Sequence, residues 1–135
     1  MAVLLDTSVA SLVHRGGRTS ILRNQYERHM AGQDLWISFQ TAAELWMLPE
    51  RNNWGTAKRA ALEAFLSRFT VLPYDEGLGR TWARVMDEAI RRGRRLESAD
   101  AWIVATAVEY AVPLLAHDRD LSGLNITGLQ VICYA

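Results

Sequence analysis

The stretch Ala2-Val3-Leu4-Leu5-Asp6-Thr7-Ser8 sets four apolar residues directly against three polar ones. A run that short and that apolar reads as a buried strand, and the Asp-Thr-Ser that stops it is a helix-start signal. The same pattern returns downstream. Leu35 to Phe39, Val71 to Pro73, Val112 to Ala116 and Leu129 to Tyr134 are further short apolar or β-branched runs. Between them lie segments that read as helices: Thr19 to Met30, with Ile21, Leu22, Tyr26 and Met30 at helical spacing, then Gln40 to Leu48, Trp54 to Phe69, Leu78 to Ile90 and Ser98 to Tyr110. Gly16-Gly17 is expected to break the first helix and Gly32 to close the second. Pro49 is expected to stop the third at Leu48, because the residue before a proline is pushed out of the α region. Strand and helix in alternation predict an α/β fold with a parallel sheet and helices on both faces. Right-handed crossovers then bring all strand C-termini to one edge.

With 135 residues, 50% of them hydrophobic, the chain suits a single domain over residues 1–135. Cys133 is the only cysteine, so no intrachain disulfide is possible and a cytoplasmic setting is expected. Met1 to Val13 is apolar but has no basic leader and is interrupted by Asp6, and no later run is long enough to span a bilayer. Neither a signal peptide nor a membrane helix is expected. A formal net charge of zero gives the whole molecule no general attraction for nucleic acid. The positive charge is nonetheless unevenly placed: Lys58 is the sole lysine, and Arg91, Arg92, Arg94 and Arg95 fall together. Arginine forks suit phosphate oxygens.

Ligands of open parallel sheets bind outside the carboxyl ends of the strands, where strand order reverses. Asp6 directly follows the first strand, Asp118 follows the strand ending at Ala116, and Glu44 and Asp100 fall in the first turns of helices that begin near the same edge. Each acid also has a local reading. Thr41-x-x-Glu44 is a capping box, Asp100 close to a Ser98 cap offsets the helix dipole, Asp6 is an N-cap, and Asp118 with Asp120 forms a solvated turn. Taken together they say more, because carboxylates sharing one pocket repel, and some must protonate or find a cation. Hard oxygen donors without a cysteine or histidine cluster call for Mg²⁺ or Mn²⁺ in preference to zinc. An ion so held can prepare a water for in-line attack on a phosphodiester and stabilise the leaving oxygen, with no protein nucleophile.

Leu4-Leu5-Asp6-Thr7-Ser8, then Ala43-Glu44-Leu45, then Ser98-Ala99-Asp100-Ala101-Trp102-Ile103-Val104-Ala105, then Leu114-Leu115-Ala116-His117-Asp118-Arg119-Asp120-Leu121 together resemble a PIN-domain nuclease. In particular they resemble the VapC-type toxins of bacterial toxin–antitoxin pairs. The resemblance spans nearly the whole chain. It implies a three-layer fold with a five-stranded parallel sheet, a Mg²⁺- or Mn²⁺-dependent endoribonuclease acting on RNA, a homodimer, and neutralisation by a cognate VapB-like antitoxin. Asp6, Glu44, Asp100 and Asp118 match the four acids of the family. Asp6 and Asp100 would bind the metal, with Asp118 completing the site directly or through water. Glu44 would hold the attacking water or assist its deprotonation. Many relatives have threonine or serine where this chain has Ala116, so a hydroxyl is missing beside Asp118; Thr7 or Ser8 can supply a polar contact, and Asp120 is a substitute ligand.

The arginines at 91, 92, 94 and 95 either grip RNA phosphates or balance the end of a helix around Gly93. His117 either ligates metal or moves a proton, or is merely an exposed loop residue. Trp36, Trp46, Trp54, Trp82 and Trp102 are expected in the core or an interface more than as base-stacking platforms, and the resemblance puts Trp46, Met47 and Leu48 beside an antitoxin groove. A phosphotransfer domain on a similar sheet would need paired acids after the first strand and a late lysine, or a second aspartate where Ser8 stands. A non-catalytic PIN-like binding module would have lost one or more of the four acids.

Overall fold

A computed structural model of the protein describes residues 1–14 and 20–135. Its elements run β1 (Ala2–Leu5), α1 (Thr7–His14), α2 (Ile21–Met30), β2 (Asp34–Ser38), α3 (Phe39–Asn52), α4 (Thr56–Leu66), β3 (Thr70–Leu72), α5 (Glu76–Arg91), α6 (Ser98–Tyr110), β4 (Leu114–Ala116) and β5 (Val131–Cys133). The expected Gly16-Gly17 break lies outside the described residues.

The five strands form one sheet in the order β3-β2-β1-β4-β5, and every pairing is parallel. β1 sits at the centre, with Val3 opposite Leu35 on one side and Leu4 opposite Leu114 on the other. All four of its residues are buried, as the unbroken apolar run requires when helices cover both faces. Strand alternation divides the core. Leu4 and Leu114 face one apolar layer, with Leu78, Val85 and Ala89 of α5 and Ile103 and Val104 of α6. Val3, Leu5, Ile37 and Leu115 face the other, with Val9 of α1, Tyr26 of α2, Leu45 of α3 and Leu62 of α4. The result is the expected α/β architecture of helices on both faces of a five-stranded parallel sheet. Strand order reverses between β1 and β4, so the crevice outside their C-terminal ends is where a ligand of such a sheet binds.

Two local expectations need correction. α3 does not stop at Leu48; it continues through a buried Pro49 to Asn52. The proline removes one donor from the helix ladder, a loss that costs about 3 kcal/mol in a helix interior. The turn nevertheless persists because its C-terminal end is well satisfied. Trp54 donates its backbone N–H to the Pro49 carbonyl at 3.0 Å, Arg59 Nη2 reaches the same oxygen at 3.3 Å, and Arg59 Nε donates to the Trp54 carbonyl at 2.8 Å. Asn53, left-handed at φ 49°, then ends the helix. The helix expected from Leu78 begins earlier, at Glu76, because Asp75 caps it by accepting the Leu78 N–H at 2.7 Å. Among the described residues no helix is long and apolar enough to cross a membrane.

Candidate active site

The edge rule places Asp6 where β1 ends, and the structure holds it there by three contacts. Its Oδ1 accepts the Val9 N–H at 2.8 Å, its carbonyl accepts the Ala10 N–H at 3.0 Å, and Ser8 Oγ lies 2.7 Å from both carboxylate oxygens. Asp6 is therefore an N-cap, as its local reading required. It is also a carboxylate only 4% exposed. Burial pushes its pKa from 3.8 up to about 6, against the pull of the Val9 N–H and the Ser8 hydroxyl, and the charge of Asp118 adds to the rise.

Glu44 reaches the same crevice from α3. The capping-box reading of Thr41 and Glu44 does not hold, because Ser38 caps α3 by accepting the Thr41 N–H at 3.1 Å. Glu44 thus lies beyond the first turn, with no backbone donor to serve. Its Oε2 instead accepts from Thr7 Oγ1, its Oε1 accepts from Gln40 Nε2 at 3.2 Å, and Thr7 Oγ1 in turn bonds Thr41 Oγ1 at 3.1 Å.

Asp100 enters from the first turn of α6, the position in which its charge also offsets the helix dipole; the expected Ser98 cap is not formed, since Glu97 stands at the cap position and Ser98 is the first helical residue. Its pKa is raised from 3.8 to about 6 by burial first, and then by the charges of Asp118, Asp6, Glu44 and Asp120. Asp6, Glu44, Asp100 and Asp118, the four predicted acids, share this site. They line one cleft of about 330 Å³ together with Thr7, Ser8 and His117. Asp120 is exposed and not among the lining residues.

Asp118 follows β4 in a tight turn, where its Oδ1 accepts the Asp120 N–H at 2.8 Å. The hydroxyl missing at Ala116 has a neighbour in Ser8, whose Oγ accepts the His117 N–H at 3.1 Å while contacting Asp6, so one side chain ties the Asp6 and Asp118 loops together. His117 is half-buried, with Nδ1 2.9 Å from the Tyr26 hydroxyl. The polar contact expected from Thr7 or Ser8 is supplied by Ser8, whereas nothing in the sequence marks Thr41 or Tyr26 as supporting the site. Only Ser8, two positions after Asp6, carries a local signal.

Elsewhere the candidates divide. Arg91 pairs with Asp87 at 2.9 Å and Arg92 with Glu88 at 3.1 Å, both along α5, while Arg94 turns onto a loop. Trp36, Trp82 and Trp102 pack against one core layer and Trp54 against the other, whereas Trp46 and Met47 are 45% and 47% exposed.

Among the described residues no three His, Cys, Asp or Glu side chains stand as a ready cage for an ion. The donor chemistry still fits Mg²⁺ or Mn²⁺. The cleft offers only hard carboxylate and hydroxyl oxygens beside one histidine, and Mg²⁺ is usually held through one or two carboxylates while keeping several waters. Two acids held back from ionising by burial and mutual repulsion are groups that a cation would relieve.

The pH dependence has a definite sign. The folded state keeps a proton on Asp100 up to about pH 6, whereas the unfolded carboxyl releases it near 3.8, so in this window the folded state binds more protons. Its stability therefore falls as pH rises through the window, and the loss is constant above it. In EDTA, the stability advantage of Asp100→Asn over wild type should be near zero below about pH 4 and reach a plateau above about pH 6. Urea denaturation across that range measures it; an advantage that shrank with rising pH would contradict the assignment.

Residues 3–126 match the PIN domain family. The chain belongs to the PIN domain family. Two curated relatives are ribonucleases of Mycobacterium tuberculosis (strain ATCC 25618 / H37Rv). The chain is 33% identical to Ribonuclease VapC5 over 69 residues, 51% of each chain, and 28% identical to Ribonuclease VapC4 over 96 residues, 70% of this chain and 74% of that one. The first match thus spans about half the length of the relative. The PIN domain is also similar to a chain in the crystal structure of VapBC2 from Rickettsia felis bound to a promoter DNA fragment. The TM-score is 0.82 at 17% identity, covering 100% of both chains. For a chain of VapBC-5 from Mycobacterium tuberculosis, a member of the VapBC family of toxin-antitoxin systems, the TM-score is 0.70 at 25% identity, covering 98% of this chain and 99% of that one. The five-stranded parallel sheet and its flanking helices are the PIN fold.

Proposed function

We propose that this PIN domain is a Mg²⁺- or Mn²⁺-dependent endoribonuclease that hydrolyses RNA phosphodiesters as the toxin of a toxin–antitoxin pair. The observation that carries the reading is the meeting of Asp6, Glu44, Asp100 and Asp118, from four distant stretches of chain, in one cleft at the switch point of the sheet. The names of the VapC4 and VapC5 relatives support ribonuclease activity. Asp6 and Asp100 would hold the ion, with Asp118 completing the site. When bound, such an ion neutralises charge developing on the phosphate and lowers the pKa of the attacking water.

The chain's own residues supply the rest. Ser8 and the Val9 N–H fix the Asp6 carboxylate, so its oxygens are oriented before substrate arrives. Glu44, braced by Thr7 and Gln40, would hold the attacking water and accept its proton. Solved VapBC complexes among the structural neighbours support a VapB-like antitoxin as partner, and a homodimer in the cytoplasm completes the proposal. A basic antitoxin side chain reaching the acidic cleft would replace the cation; inhibition unchanged after removal of the antitoxin's Arg and Lys residues near the cleft would count against that mode.

The test is cleavage of pooled RNA by antitoxin-free protein. Cutting should require Mn²⁺ or Mg²⁺ and stop on adding EDTA, and the same ions should raise Tm, because a ligand that binds only the folded state stabilises it. Cutting that persists in excess EDTA would refute the metal reading.

A further inference from the structure

We infer that Arg94 and Glu88, at the C-terminal end of α5, clamp the loop that carries Asp118 and so position that carboxylate. The inference rests on the proposal that Asp118 belongs to a divalent-ion site.

Asp118 stands on neither a strand nor a helix. Beyond the Ser8 bond to the His117 N–H just before it, its orientation comes from a turn in which its carbonyl accepts the N–H groups of Leu121 at 3.0 Å and Ser122 at 3.1 Å while its Oδ1 accepts the Asp120 N–H. The acidic side chain is therefore only as well placed as the turn is rigid. The far end of the turn presents the carbonyls of Arg119, Asp120 and Ser122, and Arg94 Nη2 faces all three, at 3.3, 2.7 and 3.0 Å. A cation against the carbonyl end of a helical turn is the favourable polarity.

Arg94 is itself well anchored. Gly93, at φ 74°, reverses the chain after α5, and the Arg94 N–H returns to the Ala89 carbonyl at 2.8 Å. Glu88 grips the other end of the loop, with its Oε2 accepting from the Thr127 N–H at 2.9 Å and from Thr127 Oγ1 at 3.3 Å, and Arg92 holding that oxygen at 3.1 Å. The signs are complementary, cation to carbonyls and anion to N–H. Leu121, Leu124 and Ile126 bury themselves between the two grips. α5 also packs along α6, where Trp82 stacks on Trp102 at 5.2 Å, and α6 carries Asp100. The clamp thus fixes Asp118 in the same frame as Asp100. Two of the five N–H donors of Arg94, those on Nη2, are thereby committed to the turn.

The experiment is a Mn²⁺ titration read by Tm shift and by calorimetry, with RNA cleavage measured separately. Arg94→Ala and Glu88→Ala should each weaken Mn²⁺ binding by about ten-fold, the scale of losing a partner that orients a metal ligand. Arg94→Lys, which keeps the charge without the fork, should recover only part. In an Asp118→Asn background, Arg94→Ala should add less than about two-fold, since residues acting through one another are not additive. Unchanged Mn²⁺ affinity in both Arg94→Ala and Glu88→Ala overturns the clamp, as does an equal loss in the two backgrounds. A raised KM for RNA and a flatter salt dependence at unchanged Mn²⁺ affinity would make Arg94 a phosphate contact and also overturn it. If wild type itself does not respond to Mn²⁺, the divalent-ion reading falls and the clamp with it; if wild type responds and the variants match it, only the clamp falls.

Discussion

Asp6→Asn should lower the rate of RNA cleavage by about a thousand-fold or more, equivalent to roughly 4 kcal/mol of transition-state stabilisation, while the protein stays folded. The two halves of that result have separate causes. Asparagine is as good an N-cap as aspartate, so Val9 keeps an acceptor and α1 keeps its start. The charge is what goes. With its pKa raised to about 6, the buried Asp6 withdraws up to about 3 kcal/mol from the metal-free fold at neutral pH, and the neutral amide should return about 1–2 kcal/mol of it. A variant that is inactive, equally or more stable in EDTA, and no longer stabilised by Mn²⁺ fits a ligand. Asp100→Asn should behave alike, because the pKa of its carboxyl is also raised to about 6, by burial first and by the charge of Asp118 next. Full cleavage in both variants would reject the ligand assignment, and a non-catalytic module would show the stability gain without any loss of function.

The parts of the site legible in the sequence are those that depend on strand ends. Asp6 and Asp118 each follow an apolar run that has to be a strand, so a parallel sheet delivers them to one edge without further information. Glu44 and Asp100 are less legible, because an acid near a helix start reads equally well as a capping-box partner or as a charge that offsets the dipole. Ser38 caps α3 and so frees Glu44 from the capping box, while Asp100 stands in the first turn of α6 and lines the cleft as well. Pro49 misled because its rule is local, whereas the bonds that keep α3 going come from Trp54 and Arg59 in the next stretch of chain. Arg94 was legible as a charge beside Gly93, but its acceptors lie in the loop at residues 119–122, and no periodicity connects the two. Support that crosses the fold is invisible to pattern, even where the groups it supports are not.

The clearest case is Tyr26, and Tyr26→Phe should cost about 2 kcal/mol, lowering Tm by roughly 6–8 °C for a chain of this size. Tyr26 is fully buried in α2. Its hydroxyl donates to the Ala116 carbonyl at 2.7 Å and accepts the Tyr134 N–H at 2.9 Å. With its only proton committed to Ala116, the hydroxyl can pair with His117 Nδ1, 2.9 Å away, only if that nitrogen carries the hydrogen. One oxygen thus joins α2, the end of β4 and the residue after β5. Burial pushes its pKa up to about 12, which keeps it a neutral donor at any working pH. Phenylalanine fills the same space but strands the buried Ala116 carbonyl and leaves the part-buried Tyr134 N–H without its acceptor, and most of the predicted loss is the desolvation cost of that carbonyl. Tyr74→Phe is the control: Tyr74 is exposed, and its change should stay within about 0.5 kcal/mol. Cleavage per folded molecule should fall less than ten-fold in Tyr26→Phe, because Ser8 still ties the His117 N–H to Asp6. A Tm equal to that of wild type would mean that water replaces the phenol at no cost, and that Ser8 and the α5 side hold the Asp118 loop without it.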